Sequence, residues 1–99
     1  MNEVKHGARM KRRILETGLR LWSVDHTSIT ARRIALEMDL THGAVLYHFG
    51  GIDALRDAIA RFAVEQNDSR VIVHLIASNH AAIAGLSDAD RVKHMRAVR

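Results

Sequence analysis

The side chains best suited to recognition chemistry in this 99-residue chain sit together in Thr41-His42-Gly43-Ala44-Val45-Leu46-Tyr47-His48. Thr41, His42, Tyr47 and His48 offer hydroxyl, imidazole and phenol groups, which hydrogen-bond to phosphate oxygens or base edges. Gly43 and Ala44 leave room for close approach, and the Ala44 methyl suits a thymine methyl. Ahead of them, Thr30, Arg32 and Arg33 supply a hydroxyl and two guanidinium groups of the kind that hold flanking phosphates. Arg12 and Arg13, in a basic N-terminal third, add two more cations. This is contact chemistry with a polyanion, and no residue of the set is expected to be catalytic.

Such groups need elements that present them. Thr30 is placed to cap a helix over residues 31–38, Asp39-Leu40 forms a turn, and Thr41 caps a second helix over 42–48 that Gly50-Gly51 stops. The inward positions are apolar at Ile34, Met38, Leu40 and Val45, and small at Ala35, where two helices cross closely. Two short helices joined by a tight turn, with a polar start to the second, are the layout of a helix-turn-helix that puts one helix into the DNA major groove.

The remaining segments read as support. Residues 1–8 are polar, contain Gly7, and are expected to form a flexible basic arm. Ile14, Leu15, Gly18, Leu19 and Trp22 recur at helical spacing and predict a helix over 9–24, broken by Asp25-His26-Thr27-Ser28. A further helix is expected over 52–66, with Ile52, Leu55, Ile59 and Phe62 inward and an Arg61–Glu65 pair on the wet side. Asn67-Asp68-Ser69 breaks the chain again. Residues 70–86 are apolar almost all round and predict one long helix buried on more than one side. Ser87-Asp88-Ala89-Asp90 resembles a capping box opening a last helix through Val98. The expected class is all-α: a three-helix helix-turn-helix unit within 9–66 and about three further helices. Region 67–99 is expected to dimerise through Ile72, Leu75, Ile76, Ile83 and Leu86, since an apolar helix on a monomer would leave a large exposed patch.

Composition bounds the rest. There is no proline and no cysteine, which favours helices and excludes disulfides and thiolate metal sites. No apolar run approaches the ~20 residues of a membrane span, and residues 1–13 have no apolar signal-peptide core, so a cytoplasmic protein is expected. The net charge of +4 is unevenly spread. Residues 1–33 hold eight Lys/Arg against three acids, 34–66 two against five, and 67–99 five against three. The excess lies in and beside the expected reading unit, where it attracts phosphate. The N-terminal arm, with Lys5, Arg9, Lys11, Arg12 and Arg13, is placed to add phosphate or minor-groove contacts.

Other chemistries find less footing. The seven histidines include no i,i+4 pair and no acidic ligand cluster, so no metal or other cofactor is expected. His74, Asn79 and His80 interrupt the apolar 70–86 stretch; they either lie on its wet face, use backbone bonds, or form a polar contact across a dimer seam. There is no Gly-rich phosphate loop, cysteine nucleophile or Gly-x-Ser-x-Gly elbow, and an enzyme is not expected.

From about Arg12 to Leu55 the chain resembles the TetR family of transcriptional repressors. The resemblance rests on Ile14, Leu15, Leu19, Leu21 and Trp22, on Thr30-x-x-x-Ile34-Ala35 and Leu40-Thr41-x-Gly43, and on His48-Phe49 followed by Asp53-x-Leu55. It implies that the helix starting near Thr41 reads the major groove, that the chain is a homodimer, and that its operator on double-stranded DNA is a near-palindrome. There are departures. Asp39 stands where the family has a turn glycine. The family's phosphate-contacting tyrosine falls on Leu46, with Tyr47 one place later, and its lysine at the start of the fourth helix falls on Ile52. Family members are also about twice as long, because a C-terminal helical domain encloses an effector. Residues 67–99 are too few for such a cavity of ~300 Å³, so no small-molecule effector is expected. The expectation is a homodimeric repressor. The alternatives are a protein-interaction module that docks another regulator on the 70–86 helix, and a piece of a longer ligand-responsive regulator.

Overall fold

The computed structural model describes residues 2–25 and 29–98, with side chains from Gly7 onward. His26, Thr27 and Ser28 of the expected break, and the side chains of Lys5 and His6, lie outside the described residues. The described chain is all-helical: α1 (Asn2–Val24), α2 (Ala31–Met38), α3 (His42–Tyr47), α4 (Ile52–Glu65), α5 (Ser69–Ala77), a 3-10 turn (Ala81–Ile83) and α6 (Asp88–Ala97). None of these helices is long and apolar enough to cross a membrane.

α1 starts seven residues before the expected position. No proline stands in its way, and a polar segment readily extends a helix already nucleated by an apolar stripe further along. α1 packs against α4 and α2, and α2 against α3. The crossing of α1 over α4 is close at Gly18, where an added Cβ would lie 2.5 Å from Ile59 Cδ1. Ile14, Leu21, Ile34, Ala35, Val45, Leu55 and Ile59 make the centre of the core.

Three helices end in the same way. Asp39, Asn67 and Asn79 adopt the left-handed conformation, with φ of 56°, 55° and 52°. In each case the next residue's N–H reaches back to a carbonyl in the last turn: Leu40 to Ala35 (2.8 Å), Asp68 to Ala63 (2.9 Å) and His80 to Leu75 (2.9 Å). This Schellman closure ordinarily takes glycine; Asp and Asn are the side chains that tolerate it next best.

The third closure overturns one expectation. Residues 70–86 are not one helix: α5 stops at Ala77, Asn79 turns the chain, and the His80 ring Nδ1 accepts the Ala82 N–H at 2.9 Å to start the 3-10 turn. The apolar residues therefore fold back on their own chain. Ile72, Leu75 and Ile83, expected at a dimer interface, are buried in the single-chain core, and Ile76 and Leu86 are half-buried against it. The α5–turn segment packs on α4, so one apolar surface is met from both sides of the bend. The long helix that the interaction-module alternative needed is not formed.

Two smaller differences concern α4. Ile52 lies outward at its first turn, while Leu55, Ile59, Phe62 and Ala63 face the core. Arg61 pairs with Asp57 (2.8 Å) rather than with Glu65. An acid four residues before a base is the better arrangement for an i,i+4 pair, which favours Asp57.

α6 is fastened by polar ties. Ser87 Oγ accepts the Asp90 N–H (3.1 Å) at its N-terminus. Arg91 donates to the Leu86 and Ile83 carbonyls (3.3 and 3.2 Å). His94 is buried, and its Nδ1 shares a 2.8 Å hydrogen bond with Ser69 Oγ at the start of α5.

Candidate nucleic-acid interface

The α2–turn–α3 unit is set by its caps. Thr30 Oγ1 accepts the Arg33 N–H (3.0 Å), and Thr41 Oγ1 accepts the Ala44 N–H (3.1 Å). Each hydroxyl acts as acceptor in its cap, which leaves its own O–H to donate outward. Both helices have the expected bounds, α3 ending one residue early. Ala31, Ile34 and Ala35 of α2 and Val45 of α3 are buried, while Met38, Leu40 and Leu46 are packed against the core.

That packing fixes what faces out. Thr41, His42, Gly43 and Tyr47 of the second helix and its cap are exposed, Tyr47 at 85%. His48 is half-buried and meets the Tyr47 ring edge-on, with centroids 5.7 Å apart and an interplanar angle of 78°. Ala44 is half-buried. A Cβ added to Gly43 would meet no atom within 4 Å, so the chain's own packing does not require glycine there. The face combines hydrogen-bonding groups with a local gap.

The five expected cationic and hydroxyl contributors around this face divide into two kinds. Thr30, Arg32 and Arg13 are exposed, and among the described residues neither arginine has an ion-pair partner. Arg33 and Arg12 are already engaged. Arg33 Nε lies 3.7 Å from Glu37, whose other carboxylate oxygen accepts from Arg20 at 3.4 Å. Arg12 pairs with Glu16 (3.8 Å) and lies over the Phe62 ring, 5.5 Å from its centroid. The Arg20–Glu37–Arg33 bridge joins α1 to α2 and lines a 340 Å³ cleft with Leu21, Val24 and Asp25. Sequence spacing signals the Arg33–Glu37 pair; the Arg20 partner, seventeen residues away, needs the α1–α2 packing.

In the C-terminal third the exposed apolar residues are not those expected. Val92, Met95 and Val98 of the α6 region face out at three-residue intervals. Their spacing is visible in the sequence, but the stronger apolar run at 71–77 masks it. His74 and Asn79 are exposed and His80 is engaged by the backbone, which leaves His94 as the buried histidine among the described residues. No group of three or more His, Asp or Glu side chains among the described residues converges as metal ligands.

Compared with known proteins, the chain matches no family model, no curated protein and no solved structure.

Proposed function

We propose that this chain is a sequence-specific DNA-binding transcriptional regulator, a repressor in which α3 enters the major groove. The observation that carries the reading is the outward face of α3: Thr41, His42, Gly43 and Tyr47 are all exposed on a short helix whose other side is locked into the core. Arg32 and the outward O–H groups of Thr30 and Thr41 hold flanking phosphates, which set register and orientation. His42 and Tyr47 reach base edges, and the space over Gly43 admits the duplex closely. The likeness of residues 12–55 to the TetR pattern supports the same docking. Tyr47 then takes a base edge in place of the family's phosphate contact, because the family's tyrosine position is here the inward-packing Leu46.

A second copy completes the reading, since a near-palindromic operator is matched by a two-fold dimer with recognition helices about 34 Å apart or a multiple of it. The surface for it is the outward stripe of Val92, Met95 and Val98. Antiparallel pairing there brings the acidic first turn of one α6, Asp88 and Asp90, beside Lys93 and Arg96 of the other.

The testing experiment is duplex binding by fluorescence anisotropy with Arg32→Ala and Tyr47→Ala. Together they are expected to weaken binding by about 2–4 kcal/mol, summing one phosphate and one base contact. Unchanged affinity in both variants contradicts this docking.

A further inference from the structure

Two guanidinium groups at the edge of the reading unit share one carboxylate. Glu37 on α2 takes Arg20 of α1 on one oxygen at 3.4 Å and Arg33 of its own helix on the other at 3.7 Å. Glu37 is the least exposed of the three side chains, at 33% against 61% and 50%. Arg32, the immediate neighbour of Arg33, has no such partner among the described residues. Adjacent arginines at the start of one helix are thus in opposite states, one open to solvent and one drawn along the helix towards an acid.

We propose that Glu37 is an internal counter-ion that holds Arg33 and Arg20 away from the phosphodiester backbone of duplex DNA. This rests on the DNA-reading function above. The chain meets a duplex with Arg32 ready, and the other two guanidinium groups join only where a phosphate is positioned to displace the carboxylate. Exposed ion pairs are weak, so a well-placed phosphate, which takes an arginine fork in the same bidentate way as a carboxylate, competes effectively. Sequence-blind association, which depends almost entirely on the number of phosphates neutralised, is held down. Correct docking recovers the withheld cations. Glu37 acts through the two arginines and is a positioning residue, not a contact residue.

The test is binding of Glu37→Gln to a random-sequence duplex across a salt series. Loss of the counter-ion is expected to steepen the slope of log affinity against log salt by about 1 to 2, close to 0.9 for each phosphate gained, and to tighten low-salt binding about tenfold. Adding Arg33→Gln to Glu37→Gln is expected to return about half of that steepening. Asp57→Asn makes the same change in net charge but frees only Arg61 on α4, and is expected to keep the wild-type slope. Circular dichroism melts confirm that each variant is folded, and Glu37→Ala repeats the measurement with a side chain that makes no new hydrogen bond. A Glu37→Gln slope equal to wild type, or a gain matched by Asp57→Asn, overturns the counter-ion role while leaving DNA reading intact. Wild-type protein that binds no duplex even at low salt overturns both.

Discussion

The α2–α3 unit and the C-terminal third use polar side chains in opposite ways. Around α3, His42, Tyr47 and Arg32 project outward, Tyr47 against the edge of the neighbouring His48 ring, and the two cap threonines keep a donor free. In the C-terminal third the polar groups hold the fold together: Asp68 and Ser87 cap, His80 starts a 3-10 turn, Arg91 gathers two carbonyls, and His94 is buried on Ser69. A polar group tied to the backbone cannot easily change partner, whereas one kept in solvent can exchange water for a ligand at small cost. The division therefore separates the proposed recognition surface from its scaffold, and substitutions on the two sides should be felt in different measurements.

The largest effect is expected in the scaffold. Ile72→Ala removes a fully buried side chain and should cost about 2–5 kcal/mol of unfolding free energy. The loss should not depend on protein concentration in denaturant titrations, because Ile72 packs within its own chain. A concentration-dependent loss would return Ile72 to a dimer interface and erase the contrast.

Next is the buried tie. His94→Ala should cost about 1–3 kcal/mol, from the lost bond and the unpaired Ser69 hydroxyl. Hydrogen exchange should show α6 losing protection while α2 and α3 keep theirs. Equal loss in both regions would mean that the two are not separable.

On the recognition side the effects on stability shrink. Arg32→Ala with Tyr47→Ala should change unfolding free energy by less than about 0.5 kcal/mol while weakening duplex binding, as expected of exposed side chains away from the core. A small effect is also expected at the turn. Asp39→Gly relieves a left-handed non-glycine residue but adds unfolded-state entropy, so the net change should lie within about 1 kcal/mol, favouring glycine. A clear destabilisation would show that the Asp39 side chain has a role beyond conformation.

The same contrast explains what the sequence made legible. Around residues 30–48 each helix has its own local start signal, Thr30 or Thr41, and a turn short enough to leave few alternatives. Local chemistry decides the structure there, and the outward residues follow from the helical period. At 70–86 the pattern is nearly all apolar, and periodicity cannot distinguish a helix buried on all sides from a helix that bends back into the core. Ser78-Asn79-His80 was the available signal: Asn tolerates the left-handed turn and a histidine ring can cap, yet both residues also suit the wet face of a longer helix. The Arg20–Glu37 and Ser69–His94 pairs were not legible, because their partners lie 17 and 25 residues apart and meet only through packing.

The proposed role of the outward face of α3 is to read DNA sequence. It is tested most directly by selecting bound duplexes from a random pool with the folded wild-type chain at near-physiological salt. An enriched inverted repeat is expected, and its half-site spacing would report the distance between two recognition helices. Recovery of no preferred sequence by a folded protein would contradict this role.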